Sequence, residues 1–322
     1  MSTDQRIKIA VLDDFQGAAL KMADWSPLQA RADITVFRDH LSEPAAVVQR
    51  LKPFDVVCVM RERTPLPRAI LEQLPNLKLI ASTAARNASI DVAAASERGI
   101  TVCGTGYSAN GAAELTWALI MAAARDLPAE CASIRRGQWQ VSVGENLEGK
   151  TIGIVGLGRI GSSIAKYAHV FGMNVIAWSQ NLAREVAEQR GARLVSKEGL
   201  FRDADIVTVH LILSGRTKGI IGVPELKLMK PTAYFVNTSR GPLVDENALI
   251  AALKSRAIAG AALDVFDVEP LPEFHPFRSL DNVVATGHIG FVTRESYTKF
   301  YGDTVENILA WLDGKPVRVM NA

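Results

Sequence analysis

The stretch Thr151–Gly161, with the sequence TIGIVGLGRIG, decides the fold of this chain. Its first five residues are rich in β-branched side chains, which is typical of a strand buried on both faces. Gly156, Gly158 and Gly161 follow at G-x-G-x-x-G spacing, and the apolar residues after Arg159 recur with the period of a helix. A strand, a glycine turn and a helix in this order predict a binding site for a dinucleotide, NAD or NADP.

The three glycines have separate physical roles in such a site. The first permits a tight turn, the second lets backbone amides approach a pyrophosphate, and the third lets the helix pack closely against the strand. The amino end of the helix offers N–H groups and the positive end of its dipole to the phosphates. A glycine-rich turn in an ordinary α/β protein is the alternative interpretation, and the flanking strand and helix favour the nucleotide site.

On both sides of this stretch, short apolar runs alternate with helical segments. We expect earlier strands at residues 7–12, 34–37, 55–60, 77–82 and 100–103, and later strands at 174–178, 205–211, 233–237, 258–263 and 283–285. This alternation predicts two α/β units with parallel sheets. A long helix is predicted over 111–135, and an amphipathic helix over 292–312.

The composition narrows the class of protein. A chain of 322 residues has room for about two domains. Its 36 Lys and Arg nearly balance 34 Asp and Glu, so we expect neither nucleic acid nor a membrane surface as a partner. The three cysteines contain no C-x-x-C pair, and we expect no metal site. The amino terminus lacks the apolar core of a signal peptide, which favours a cytoplasmic protein.

Three charged residues follow predicted strands in the second half of the chain. Arg240 follows AYFVN, Glu269 comes shortly after IAGAAL, and His288 follows NVVAT. Ligands of open α/β sheets lie beyond the carboxyl ends of the strands, so these residues are candidates for catalysis. An arginine can bind a carboxylate bidentately, a histidine can exchange a proton near neutral pH, and a carboxylate can orient the imidazole. Each could also be an ordinary loop residue, but beside a nucleotide site the set favours redox chemistry at a carbonyl.

Four motifs in order, VGLGRIG, NTSRGPLVDENAL, GAALDVFDVEP and GHIG, resemble those of the D-isomer-specific 2-hydroxyacid dehydrogenases. The likeness covers nearly the whole chain. It implies two Rossmann-like or flavodoxin-like parallel-sheet domains, with the cofactor domain inserted into a discontinuous substrate domain. Residues 1–104 and 290–322 would form the substrate (catalytic) domain, and residues 105–289 the NAD(P)-binding Rossmann domain. The resemblance also implies a homodimer with an active site in the cleft between domains.

The resemblance further assigns roles to single residues. Arg240 would bind the carboxylate and carbonyl of a 2-oxo acid substrate. His288 would be the general acid in reduction and the general base in oxidation, and Glu269 would pair with it and favour its protonated form. Other matching positions would contact the cofactor: Arg159, Ile160, Thr238, Asp264 and, towards the nicotinamide, Thr116.

One departure from the family pattern concerns the cofactor. Many NAD-using members have an acidic residue at the end of the second strand of the cofactor domain, where it accepts the ribose hydroxyls. Here Trp178 is followed by Ser179, and Arg184 lies a few residues further on. The missing carboxylate would not repel a 2′-phosphate, so we expect NADP to be accepted and leave the choice between NAD and NADP open. In the alternative interpretation, Ser179 simply bonds a ribose hydroxyl of NAD.

A second departure concerns the substrate. The loop Thr83–Asp91 is predicted to bind substrate through Arg86 and Asn87, and many relatives have glycine where Arg86 stands. A second guanidinium suggests another carboxylate contact or a substrate with an additional acidic group, and Arg61 could join it. Alternatively, Arg86 points outward or pairs with Asp91.

The predicted function is hydride transfer between NAD(P)H and a 2-oxo acid or D-2-hydroxy acid, as in glyoxylate and hydroxypyruvate reductases. A phosphite- or formate-type dehydrogenase on the same fold is one alternative, although the formate branch typically has glutamine where Glu269 stands. A non-catalytic, corepressor-like nucleotide sensor is the alternative from another class. It would retain the same arginine, glutamate and histidine, so only turnover by the purified protein separates them.

Overall fold

The computed structural model describes residues 6–107 and 110–321. These residues divide into two compact units, of which one runs up to residue 107 and resumes at Val292, and the other is Asn110–Phe291. The predicted domain boundaries lie at 104/105 and 289/290. Those boundaries, and the assignment of the two units to substrate and cofactor, stay predictions.

The first unit is built on a five-stranded sheet. Its strands are β1 (Ile7–Val11), β2 (Ala32–Val36), β3 (Val56–Val59), β4 (Leu79–Ser82) and β5 (Thr101–Cys103). The order across the sheet is β2-β1-β3-β4-β5, and every pairing is parallel. Strands β3 and β4 are buried at every residue, as central strands of a parallel sheet should be. The helices between these strands are α1 (Ser26–Gln29), α2 (Pro44–Leu51), α3 (Arg68–Leu71) and α4 (Val92–Glu97).

The second unit holds a seven-stranded parallel sheet. Its strands are β6 (Thr151–Val155), β7 (Asn174–Trp178), β8 (Arg193–Leu194), β9 (Ile206–Val209), β10 (Tyr234–Asn237), β11 (Gly260–Leu263) and β12 (Val283–Ala285). Their order is β12-β11-β10-β9-β6-β7-β8. The helices are α5 (Gly111–Ala124), α6 (Leu127–Arg135), α7 (Arg159–Val170), α8 (Arg184–Gln189), α9 (Lys197–Asp203), α10 (Val223–Leu228) and α11 (Glu246–Lys254). The two parallel-sheet α/β units confirm the predicted fold class.

Strand β6 is the point at which the order of the second sheet reverses. It pairs with β7 on one side and with β9 on the other. In open sheets of this kind, the crevice beyond the carboxyl end of such a strand is where nucleotides bind. The glycine turn follows β6 directly and therefore lies at this point.

Helices cover both faces of the second sheet. Consecutive residues of a strand point to opposite faces, and Ile154 and Val155 accordingly belong to different hydrophobic clusters. Ile154 packs in the cluster that contains Ile164 of α7, whereas Val155 packs in the cluster that contains Leu200 of α9. Burial on both faces explains why β6 reads as a continuous apolar run.

The long helix predicted over 111–135 is wrong in one respect, because it consists of two helices, α5 and α6. Pro128 lies in the first turn of α6. Proline has no N–H to donate, and its ring would clash with the carbonyl of Ala124 if the helix were continuous. The chain turns instead at Asp126, whose φ is 48°.

The last helix, α12 (Arg294–Leu312), belongs to the first unit and starts two residues later than predicted. It buries Tyr297, Phe300 and Tyr301. Within the described ranges, no helix combines the length and the apolar character needed to cross a bilayer. The cytoplasmic location stays a prediction.

Candidate active site

The glycine turn begins where β6 ends. Gly156 has a φ of 98°, and a Cβ atom there would lie 2.8 Å from the carbonyl oxygen of His210. The N–H of Gly156 donates to the carbonyl of Trp178 at 2.8 Å, which brings the end of β7 beside the turn. A side chain at this position would meet both an unfavourable backbone conformation and the neighbouring chain, so glycine is required.

Gly158 and Gly161 have different surroundings. A Cβ at Gly161 would collide with the carbonyl oxygen of Gly156, so this glycine allows α7 to approach the turn. A Cβ at Gly158 would have no heavy atom within 4 Å. Open space therefore lies in front of Gly158, where α7 begins with Arg159 and Ile160. Such a cradle fits a pyrophosphate, which the N–H groups of the first turn of α7 would hold.

His288 and Glu269 form a hydrogen-bonded pair. Nδ1 of His288 lies 2.6 Å from Oε2 of Glu269, and Oε1 of Glu269 accepts a bond from the N–H of Phe266 at 3.0 Å. Burial raises the pKa of Glu269, but His288, the Phe266 amide and Arg240 outweigh it, and the pKa lies below its ordinary value. Glu269 is therefore an ionised carboxylate at neutral pH that fixes Nδ1 of His288 and leaves Nε2 for another partner.

Arg240 lies immediately beyond β10. Asn237 closes this loop, because its Nδ2 donates to the carbonyl of Arg240 at 2.9 Å and its Oδ1 accepts from the N–H of Ser239 at 3.0 Å. Nη1 of Arg240 donates to the carbonyl of Ser239 at 2.8 Å. The positive charge of Arg240 is one of the influences that lower the pKa of Glu269.

Asp264 organises the loop that carries His288. The residue is only 1% exposed, and its carboxylate accepts bonds from Oγ1 of Thr286 at 2.7 Å, the N–H of Ile289 at 2.8 Å and the N–H of Gly290 at 2.9 Å. The carbonyl of Asp264 accepts from the N–H of His288 at 2.8 Å. Burial raises the pKa of Asp264 against these hydrogen bonds. The network holds His288 at a φ of 52°, a conformation that few non-glycine residues adopt.

Thr116 and Thr238 meet inside the second unit, although 122 positions separate them in the chain. Their Oγ1 atoms are 2.6 Å apart, and Oγ1 of Thr116 donates to the carbonyl of Ala112 at 2.6 Å. Thr238 is therefore the donor to Thr116. The contact joins α5 to the loop after β10, the same loop that carries Arg240.

In the first unit, Asn87 is buried and builds the loop after β4. Its Nδ2 donates to the carbonyl of Arg61 at 2.6 Å and to Oγ of Ser82 at 3.0 Å. Its Oδ1 accepts from the N–H of Ser89 at 2.9 Å and from Oγ of Ser89 at 2.7 Å. The side-chain amide is thus engaged with the loop itself.

Arg86, beside it, is exposed. Asp91 accepts from the N–H of Ala94 at 2.8 Å, which caps α4, and its other oxygen lies 3.9 Å from Nε of Arg68. Arg61 has a φ of 52° and lies 5.3 Å from the centre of the Tyr107 ring. The substrate-binding roles of Arg86 and Asn87 stay predictions.

His210 is a strand-end residue that the sequence interpretation missed. It follows β9, its Nε2 lies 2.9 Å from Oγ1 of Thr208, and its Nδ1 is buried without a hydrogen-bond partner in the described part of the chain. Burial lowers the pKa of His210 to about 3, so its ring is neutral at physiological pH. The strand predicted over 205–211 contains His210, so the rule that selected Arg240 and His288, a polar residue just beyond a strand, passed over it; the observed strand ends at Val209, one residue before His210.

These features together define a class of protein. A doubly wound sheet carries an open glycine cradle at its switch point, and an arginine and a histidine–carboxylate pair lie in loops that follow other strands of the same sheet. That combination is typical of oxidoreductases that use a nicotinamide dinucleotide.

Comparison with known proteins identifies the family. The model of the D-isomer specific 2-hydroxyacid dehydrogenase, NAD binding domain, matches residues 117–290. The glyoxylate reductase of Aeropyrum pernix is 42% identical over 263 residues, which cover 78% of this chain and 78% of that protein. The D-3-phosphoglycerate dehydrogenase of Methanocaldococcus jannaschii is 40% identical over 90% of this chain, which spans 54% of that longer protein. The crystal structure of phosphoglycerate oxidoreductase from Vibrio cholerae matches with a TM-score of 0.90 and 38% identity, over 96% of this chain and 99% of that one.

The chain belongs to the D-isomer specific 2-hydroxyacid dehydrogenases, NAD-dependent oxidoreductases that act on 2-oxo and 2-hydroxy acids. This membership confirms the family, the hydride-transfer function and the NAD(P) cofactor predicted from the sequence.

Proposed function

We propose that the chain reduces a small 2-oxo acid to the D-2-hydroxy acid, and catalyses the reverse oxidation, with Arg240, Glu269 and His288 as its catalytic residues. The observation that carries this proposal is the 2.6 Å hydrogen bond between Nδ1 of His288 and Oε2 of Glu269, in loops that follow strands of the sheet with the glycine cradle. When bound, the nicotinamide ring supplies or accepts the hydride at C2 of the substrate. Residues 105–289 hold the cofactor, and residues 1–104 and 290–322 form the substrate domain.

His288 moves the proton in this scheme. In reduction, protonated Nε2 donates to the carbonyl oxygen as that oxygen becomes a hydroxyl, and in oxidation neutral Nε2 takes the proton back. Glu269 holds Nδ1, so the ring presents Nε2 in one orientation. Its ionised carboxylate also stabilises the protonated imidazole. The hydrogen bonds of Asp264 keep the histidine loop in place throughout.

Arg240 positions the substrate. A guanidinium presents N–H groups in a planar fork that matches a carboxylate, and a further N–H can polarise the neighbouring carbonyl. The bonds from Asn237 hold the loop of Arg240 in one conformation. Binding and polarisation by one group place C2 and its oxygen in a fixed orientation relative to His288.

Glyoxylate and hydroxypyruvate are the substrates that we propose first, because the glyoxylate reductase of A. pernix matches over most of both chains. Arg61 and the exposed Arg86 favour a second candidate, a 2-oxo or 2-hydroxy acid that carries an additional anionic group. The name of the M. jannaschii relative, D-3-phosphoglycerate dehydrogenase, is consistent with such a substrate. Replacing Arg86 with Ala should raise KM for the dianionic substrates alone; an unchanged KM for every acid would remove this candidate.

We propose that NADP is accepted as well as NAD. The segment that follows β7 begins with Ser179 and contains no carboxylate up to Arg184. An acidic side chain there would repel a 2′-phosphate, whereas a hydroxyl can donate to one. A strong preference for NADH in kcat/KM would contradict this.

We also propose a homodimer. Residues 136–150, which join α6 to β6, form an arm that is tied back to α6 by Glu130, which accepts a bond from the N–H of Val141 at 3.0 Å. Two side chains of the arm nevertheless face water, Trp139 with 77% exposure and Val143 with 99%. Apolar side chains that are exposed on an anchored segment indicate an association surface, and the family resemblance implies a second copy as its occupant.

A substrate panel tests the proposed activity. Purified protein is incubated with NADH or NADPH and each of a series of 2-oxo acids, and with NAD or NADP and formate or phosphite. We expect cofactor oxidation with at least one 2-oxo acid and a D-configured product. Turnover of formate or phosphite alone would replace the proposal, and cofactor binding without any turnover would favour the nucleotide sensor.

A further inference from the structure

Arg190 links the end of α8 to the glycine turn. It is the first residue after α8, and its N–H donates to the carbonyls of Val186 and Ala187 at 3.2 and 3.1 Å. Its side chain reaches back to the turn, where Nη1 donates to the carbonyl of Leu157. Leu157 stands between the first two glycines of the motif, so this guanidinium lies against the cradle itself.

The backbone next to Arg190 is fixed. Gly191 has a φ of 75°, and a Cβ there would lie 2.8 Å from Nε2 of His169. The same Nε2 lies 2.6 Å from the carbonyl oxygen of Gly191. The end of α8 is therefore anchored to α7, and the guanidinium extends from a defined position rather than from a loose surface loop.

The end of β7 approaches the turn as well. The hydrogen bond from the N–H of Gly156 to the carbonyl of Trp178, at 2.8 Å, places Ser179 next in the chain after that contact. In NAD-specific sites a carboxylate at this strand end accepts the ribose hydroxyls. Here a serine follows the strand, and an arginine contacts the neighbouring turn. The local charge is thus suited to a phosphate on the ribose rather than to bare hydroxyls.

We propose that Arg190 binds a phosphate group on the 2′-oxygen of the adenosine ribose and thereby determines the preference for NADPH. The proposal rests on the proposed cofactor site and extends it to a residue outside the segment between β7 and α8. A guanidinium carries five N–H donors. One of them serves Leu157, and the planar group can offer others to phosphate oxygens.

The geometry points to Arg190 rather than to Arg184. Arg184 begins α8 and Arg190 follows its last residue, so the two are separated by the length of the helix, about 9 Å for six residues. The hydrogen bond to Leu157 assigns the position beside the cradle to Arg190.

Isothermal titration of the whole protein with 2′,5′-ADP and with 5′-ADP tests the proposal without any turnover. Wild type should bind 2′,5′-ADP more tightly than 5′-ADP. Arg190→Gln should lower the affinity for 2′,5′-ADP by about 10- to 100-fold, because one charge-assisted contact to the extra phosphate is lost. The affinity for 5′-ADP should fall by no more than about threefold. Arg184→Gln and the surface variant Arg202→Gln, whose arginine pairs with Asp203, are the matched controls and should keep the preference for 2′,5′-ADP.

Four outcomes would overturn the proposal. Equal weakening of both nucleotides by Arg190→Gln would mean that the arginine only holds the glycine turn. Loss of the preference in Arg184→Gln but not in Arg190→Gln would assign the phosphate to the other arginine. Wild type that binds 5′-ADP but gains nothing from the 2′-phosphate would refute this inference alone, whereas binding of neither nucleotide would refute the proposed cofactor site as well. Arg190→Lys keeps the charge without the fork and should retain part of the preference, which keeps the test decisive if the glutamine variant does not fold.

Discussion

Arg240 is the residue at which substrate geometry can be tested most simply. Arg240→Lys keeps the positive charge but removes the planar fork, so bidentate binding of the carboxylate and polarisation of the carbonyl are lost together. We expect KM to rise and kcat to fall, with kcat/KM for the preferred 2-oxo acid lowered by about 100-fold or more. Steady-state kinetics measure this. Arg256→Lys, in an exposed pair with Asp281, is the control and should leave both parameters unchanged. A rise in KM with an unchanged kcat would mean that Arg240 binds the substrate and the transition state equally, and would contradict its role in polarising the carbonyl.

His210 predicts a dependence of stability on pH. Burial lowers the folded-state pKa of His210 from 6.5 to about 3, so the folded protein excludes a proton that the unfolded chain binds below pH 6.5. The contribution of the neutral His210 ring to the free energy of unfolding is therefore complete above the unfolded-state pKa and is lost as the pH falls from 6.5 towards 3. His210→Asn removes this proton linkage.

Denaturant unfolding of wild type and His210→Asn, at about pH 7.5 and about pH 5, measures the effect. We expect the free energy of unfolding of wild type to fall more than that of the variant, by about 1–2 kcal/mol between the two pH values. Equal losses in the two proteins would show that the His210 ring is accessible to protons in the folded state.

At the scale of the element, the β6–turn–α7 unit makes a paired prediction about two glycines. Gly158→Ala adds a methyl group in open space, so folding should be unaffected, but the methyl occupies the space in front of the cradle. Gly161→Ala adds a methyl group against the carbonyl of Gly156, and a forced backbone shift costs about 1–3 kcal/mol.

Thermal unfolding and NADH titration distinguish the two glycines. Gly158→Ala should keep the Tm of wild type and lower the affinity for NADH by about 10-fold or more. Gly161→Ala should lower both the Tm and the affinity for NADH. Gly302→Ala is the control: it lies in α12, the added Cβ would have no heavy atom within 4 Å, and the affinity for NADH should be unchanged. Wild-type affinity in Gly158→Ala would show that the phosphates do not rest at this turn.

The elements also show what the sequence could predict. The β-branched runs located the strands because a parallel sheet buries both faces, so hydrophobicity alone marks them. The two-residue strand β8 carries too short a pattern to be detected in this way. The apolar residues that indicated the helix over 111–135 end at Ala123, and the break was missed although proline at position 128 predicts one.

For the candidate site, the strand-end rule selected Arg240, Glu269 and His288, because parallel strands bring their carboxyl ends to one edge. The rule gives no distances. The three bonds of Asp264 to a loop more than 20 residues later depend on tertiary packing, as does the reach of Arg190 to Leu157. No local pattern encodes contacts of this kind, so they could only come from the structure.

At the scale of the whole molecule, the exposed arm after α6 predicts association of two copies. The double variant Trp139→Ser, Val143→Ser removes the two most exposed apolar side chains of the arm and should convert a dimer into a monomer. Size-exclusion chromatography with light scattering measures the mass directly. Phe274→Ser, which removes a side chain of 93% exposure outside the arm, is the control and should leave the mass unchanged. A wild-type monomer, or a dimer that survives the double substitution, would contradict the assignment of this surface.

The central claim is that this molecule transfers hydride to a 2-oxo acid with His288 as the proton donor. The most direct measurement compares wild type and His288→Ala for oxidation of NADH and NADPH, with the best 2-oxo acid of the panel. The account predicts turnover by wild type and a kcat lower by about 100-fold or more in the variant, because a positioned general acid is lost, while affinity for the reduced cofactor is retained. Near-normal kcat in His288→Ala would contradict the account.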